Sequence, residues 1–227
     1  MVWMTTLIVP ITMITTWKES DGWYYYPLLL VMEGALIGVF VALDLFMFYI
    51  FWELTLIPMF FLILKWGGAN RRYAAQKFFI YTFTASVIML LGIITLYFMQ
   101  DPSQVLIKQG VLTGRTFDMT ELTNQAQVAT ASGSIWLGIE MQKALFLMFM
   151  LGFLVKLPVV PFHTWLPDAH VEAPTGGSML LAGVMLKMGL YGLMRAAIPV
   201  LPLGTEYFVP IMVVLAIVSI LYGAALS

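Results

Sequence analysis

The 227-residue sequence contains no cysteine and little charge: 11 lysines and arginines, 12 aspartates and glutamates, and two histidines. Without cysteine there is no disulfide, no thiolate metal site and no cysteine-ligated iron–sulfur cluster. Two histidines, His163 and His170, are too few to ligate a pair of haems. Any redox chemistry that this chain serves is therefore expected elsewhere, with no cofactor and no metal held here. A net charge of −1 offers nothing to nucleic acid or to an anionic surface. No nucleotide-binding glycine loop, metal-ligand spacing or nucleophile elbow is present. A basic n-region is also lacking, so no signal peptide is read, and both ends fall inside apolar runs, as expected of a fragment.

What is present is apolar. Hydrophobic residues make up 61% of the chain and charged residues 10%, with a mean hydropathy of +0.93. A soluble domain carries about 25% charged residues, whereas crossing a bilayer takes about 20 consecutive apolar ones. The sequence predicts an all-α, polytopic transmembrane bundle of about seven helices, forming a single domain over 1–227. The apolar segments run approximately over 1–16, 27–43, 45–64, 73–99, 143–161, 178–197 and 206–226. A polar turn at Lys18 to Gly22 leads into Trp23 and three tyrosines, as in an interfacial aromatic belt. Asp44 separates the second and third segments. Residues 100–142 are rich in Gln, Thr, Ser, Asp and Gly and read as a water-exposed loop. Lys65, Arg71 and Arg72 place the loop between the third and fourth segments in the cytoplasm. The 100–142 loop, one helix away, is then expected on the outer side.

A charge deep in a bilayer costs at least about 3 kcal/mol, so each one calls for an explanation. Glu53, Lys156 and Lys187 fall well inside apolar segments, whereas Glu33 and Lys77 lie nearer segment ends. Glu53 reads equally as a buried neutral or ion-paired lock and as a titratable group on a proton path. Lys156 is followed by Pro158 and Pro161, which cannot both sit in a regular helix. The fifth segment is therefore expected to break between Lys156 and Pro161, and a break at bilayer depth is tolerated only inside protein or beside a hydrated cavity. A broken helix beside an ionisable residue favours transport over a structural role. Lys187, among Gly183, Gly189 and Gly192, is expected to point into a tightly packed bundle. Each histidine alone reads as an ordinary loop residue, but beside two buried lysines an imidazole becomes a relay candidate. Asp168 and Glu172 read as helix-terminating residues.

Together these residues carry a resemblance. The run from Val41 to Pro58 around Glu53 resembles the glutamate helix of the antiporter-like subunits of respiratory complex I, the NADH-quinone oxidoreductase. Val155 to Pro158 and Pro161 to Thr175 resemble the lysine-bearing broken helix of that family and the segment after it, and Lys187 matches its next lysine. Family members are longer, with two inverted five-helix repeats, of which this sequence resembles the first. The resemblance implies a proton-translocating subunit in which Glu53 and Lys156 interact and Lys187, His163 and His170 continue a proton pathway. It also implies sibling antiporter-like subunits as partners in a bacterial inner membrane. NADH, FMN, iron–sulfur clusters and quinone are expected in other subunits, and quinone reduction supplies the drive. Nothing local forces Glu53 towards Lys156, yet mutual approach offsets part of the burial cost. A separation within about 8 Å is expected, worth about 2 kcal/mol at an effective dielectric near 20.

Two other functions fit the same residues. One is a subunit of a multisubunit cation/proton antiporter or a membrane-bound hydrogenase, which copurifying subunits would distinguish. The other is a structural membrane scaffold, in which replacing Lys156 harms assembly rather than pumping.

Overall fold

The computed structural model describes residues 1–17, 23–100, 115–131 and 137–226. The polar turn at Lys18 to Gly22, Lys108 and much of the 100–142 stretch lie outside them. Nine helices form among the described residues: α1 (Val2–Thr15), α2 (Tyr25–Val41), α3 (Leu45–Trp66), α4 (Arg71–Met99), α5 (Met119–Ala131), α6 (Ile139–Lys156), α7 (Trp165–Glu172), α8 (Thr175–Val200) and α9 (Pro202–Leu226). Seven of them correspond to the apolar segments, and α5 and α7 are short additions. Helices α3, α4, α8 and α9 are long and apolar enough to cross a membrane. Helices α1 and α2 are shorter, and the 18-residue α6 carries Glu140, Lys143 and Lys156.

Local chemistry explains several boundaries. Asp44 starts α3 as its N-cap, its carboxylate accepting from Phe46 N at 2.8 Å and Met47 N at 3.0 Å. The threonines of α1 are tolerated in an apolar helix because their hydroxyls bond back to the preceding turn, as Thr12 does to Ile8 O at 2.8 Å. Helix α3 is interrupted at Thr55, two residues past Glu53. Pro58 has no N–H to offer the Leu54 carbonyl, so the regular bond across that turn cannot form. Helix α6 ends at Lys156, where the proline pair was expected to stop it.

Helix α4 is the centre of the bundle and packs on α3, α6 and α7, while α6 also packs on α8 and α9. The α4–α6 contact is close because it is lined by small residues: a Cβ on Gly152 would lie 2.8 Å from Met89 Cβ and 3.4 Å from the Ala85 carbonyl. Two features depart from the sequence reading. Part of the 100–142 stretch is ordered structure: Asp118 caps α5, and Met119, Leu122 and Ala126 are buried. Its entry is stitched to the α2–α3 junction by Leu45 N to Phe117 O at 2.9 Å and Met119 N to Leu43 O at 2.8 Å. Polar composition conceals this helix, because only one side of it meets the bundle. Helix α8 also contains two π-helical stretches, Leu181–Met185 and Leu193–Ala197, which enclose Lys187 between them.

The glycines sort by what faces them. A Cβ on Gly189 would lie 2.7 Å from the Phe153 carbonyl and 2.9 Å from Leu157 N, backbone atoms that cannot yield, whereas one on Gly34 meets nothing within 4 Å. Gly189→Val is expected to abolish accumulation of the assembled subunit, and Gly34→Ala to leave it near native level. Native-gel quantification of membranes checks both.

Candidate functional site

The site is built where α3, α4 and α6 meet. The side chain of Lys156 is buried, with 1% of its surface exposed. Its Nζ lies 5.6 Å from the ring centroid of Trp52 on α3 and 5.7 Å from that of Phe78 on α4. A cation over an aromatic face gains roughly 0.5–2 kcal/mol, which offsets only part of burying an ammonium. Phe153, one turn back on α6, packs on Trp52 at 5.6 Å and Phe48 at 6.2 Å, so α6 is keyed to α3 by aromatic edges. These contacts place Lys156 beside the neighbour of Glu53, across more than a hundred residues of sequence.

Glu53 is partly buried, and its carboxylate interacts with the hydroxyls of Tyr49 and Ser86 and with the charge of Lys156. Tyr49 precedes it by one helical turn, and Ser86 comes from the buried face of α4. The two charged groups do not form an ion pair among the described residues. Glu53 Oε1 and Lys156 Nζ are instead buried without hydrogen-bond partners among these residues, and so is His163 Nδ1. Glu53 and Lys156 thus stand on neighbouring helices without being locked together.

The other residues singled out in the sequence stand apart. Lys187 is half-buried, and its Nζ approaches Met4 Sδ on α1 at 3.8 Å. The His163 ring packs edge-on against Tyr222 of α9 at 5.0 Å. His170 is exposed on α7. Asp168 pairs with Lys77 at 2.6 Å, joining α7 to α4, and the Glu172 carboxylate accepts from Asn70 N at 2.9 Å. These two acids therefore anchor α7 to its neighbours. Tyr49 was findable at four residues from Glu53. Ser86, Trp52 and Phe78 were not, because their roles depend on which helices meet. Among the described residues no group of acidic or histidine side chains is arranged to hold a metal ion.

A partly buried glutamate and a buried lysine thus stand beside interruptions of two apolar helices. Residues 42–227 match the family described as NADH:quinone oxidoreductase/Mrp antiporter, TM, and the chain belongs to this family. It is 46% identical to the F(420)H(2) dehydrogenase subunit M of Methanosarcina mazei over 99% of this chain and 43% of the relative. It is 43% identical to the NADH-quinone oxidoreductase subunit M of Rhodobacter capsulatus over 100% of this chain and 42% of the relative. A chain of respiratory complex I from Thermus thermophilus with bound NADH superposes with a TM-score of 0.79 at 30% identity, covering 97% of this chain and 42% of that one. The sequence thus spans less than half the length of the relatives it matches.

The Ser86 contact gives the site its first test. Ser86→Ala removes a hydroxyl that stands near the Glu53 carboxyl and donates to the Phe83 carbonyl at 2.8 Å. The Glu53 carboxyl band in infrared difference spectra, assigned as the band that Glu53→Gln deletes, is expected to move. An unmoved band would dissociate Ser86 from Glu53.

Proposed function

We propose that this chain is part of a proton-translocating membrane subunit of an NADH-quinone oxidoreductase, driven by quinone reduction in partner subunits. The observation that carries this reading is the pair at its centre: Glu53, partly buried just before the lapse in α3, and Lys156, buried at the end of α6, each with a buried polar atom that no hydrogen bond satisfies among the described residues. A structural ion pair is expected in contact, because the attraction at 4 Å is about 4 kcal/mol at a surface-like dielectric. A pair that stays apart can change its separation, and with it the stability of the charge on the amine.

In the proposed cycle, approach of Glu53 stabilises the ammonium form of Lys156. Separation withdraws that support, and the proton leaves along α8 towards Lys187, with His163 and His170 as further carriers. The subunit sits among sibling antiporter-like subunits in a bacterial inner membrane. NADH, FMN, iron–sulfur clusters and quinone belong to partners. The basic loop bearing Lys65, Arg71 and Arg72 faces the cytoplasm, and the α5 region the outer side.

A second reading of the electron input is favoured by one finding. The 46%-identical relative carries the name of an F(420)H(2) dehydrogenase, so the same membrane part fits a different donor. The peripheral subunits that copurify distinguish the two.

Glu53→Gln in the complete complex tests the core claim. Assembly and electron transfer from an artificial donor are expected to persist, while proton uptake or release falls by about tenfold or more, the effect of losing about 1.4 kcal/mol of coupling. Native pumping by this variant would refute the proton-path reading. Loss of assembly with normal pumping per assembled complex would favour a scaffold instead.

A further inference from the structure

Helix α6 must dispose of its last carbonyls inside the bundle, where water is not available to satisfy them. Leu157 N bonds Phe153 O at 2.8 Å in the ordinary helical way. Pro158 has no N–H for Leu154 O, and Val159 N takes that carbonyl instead at 3.1 Å. Using Val159 in this way leaves Val155 O, the carbonyl next to Lys156, without a backbone donor. That carbonyl is taken by a side chain from ten residues on: the indole Nε1 of Trp165 donates to it at 2.8 Å, fully buried.

We infer that Trp165 is a positioning residue for Lys156, fixing the end of α6 so that the amine faces Trp52, Phe78 and the Glu53 side of the bundle. Three contacts make Trp165 suited to this. Its ring packs on Phe78 at 5.4 Å, the same ring that stands 5.7 Å from Lys156 Nζ. Its helix α7 is tied to α4 by the Lys77–Asp168 ion pair at 2.6 Å. The far end of α7 is tied to the α3–α4 turn, where Gly68 N donates to Glu172 O at 3.0 Å and Asn70 N to the Glu172 carboxylate at 2.9 Å. The indole is thus held from outside α6 and carries the register of α4 to the carbonyl beside the lysine. It touches no proton carrier itself; it acts by setting where the carrier stands.

The inference rests on the proton-path reading of Lys156, and its test separates the two. Trp165→Phe keeps an aromatic ring and deletes the donor. In the full-length subunit, within the complete complex, electron transfer is expected to persist. The share of proton pumping that Glu53→Gln removes is expected to slow by about fivefold, the effect of roughly 1 kcal/mol at Lys156. The pH profile of pumping is expected to shift, because the amine moves relative to Glu53, the charged group facing it; Lys77 and Asp168 remain occupied with each other. A purely structural role would lower the amount of complex without moving that profile. Should Trp165→Phe fail to assemble, benzothienylalanine at position 165 decides, since its sulfur replaces the N–H with almost no change in shape. Native pumping and a native pH profile in the assembled variant overturn the inference. If Glu53→Gln stops pumping while the Trp165 variants behave natively, this inference alone falls; if Glu53→Gln pumps normally, the proton-path reading falls with it.

Discussion

The backbone of α6 runs out of donors where the most buried charge among the described residues stands, and much of the surrounding structure answers that coincidence. A carbonyl without a donor and an amine without a partner are each costly in a water-excluded interior. The carbonyls are satisfied by displaced donors, Val159 N and the Trp165 indole. The amine is not: it meets aromatic faces and a distant carboxylate. Placing the polar cost on the side chain rather than on the main chain has a consequence. A main chain left unsatisfied would collapse the break, whereas a side chain left unsatisfied can gain or lose a proton and remain where it is.

The same division recurs at Glu53. Pro58 removes the donor for Leu54, yet α3 continues past Thr55, whose hydroxyl bonds the Trp52 carbonyl at 2.8 Å. Two of the acid's neighbours, Tyr49 and Ser86, carry hydroxyls, a group type that can donate or accept, although the Ser86 hydroxyl donates to the Phe83 carbonyl at 2.8 Å here. Such neighbours serve a carboxylate and a carboxylic acid almost equally well. A lysine or arginine in contact would serve only the carboxylate. Such surroundings suit the proposed cycle, in which a mutual attraction of about 2 kcal/mol near 8 Å against about 4 kcal/mol at 4 Å would distinguish one protonation state from the other.

How much of this was written in the sequence depends on how local its cause is. The helices, the break after Lys156 and the isolation of Glu53 arise from runs, prolines and charges within a few residues of one another, and all were readable. The start of α3 at Asp44 was readable as an interruption, its capping role less so. Helix α5 was hidden because a helix that buries one stripe, Met119, Leu122, Ala126 and Ala129, against a bundle keeps a polar composition. The π-helical turns around Lys187, which pack against α1 and α6, carry no residue signature in the sequence. Ser86 and Trp165 were hidden for a third reason: a serine and a tryptophan acquire meaning only once α4 and α7 have brought them to the glutamate and to the end of α6.

The three ionisable residues at the heart of the sequence share a backbone circumstance that their chemistry alone does not require. Glu53 precedes the lapse at Thr55, Lys156 ends a helix, and Lys187 lies between two π-helical stretches. A regular helix holds each side chain on a fixed line, because every turn is locked by its own hydrogen bonds. At a lapse, an end or a π-turn one such bond is missing or shared, and the side chain gains a small freedom of direction at little cost to the rest of the helix. For a lock between helices that freedom would be a defect. For charges that must approach and part it is the useful property, provided that something rigid keeps the freedom small. At Lys156 that rigid element is α7, fastened to α4 at Lys77 and to the α3–α4 turn at Asn70, with its tryptophan set against the final turn of α6.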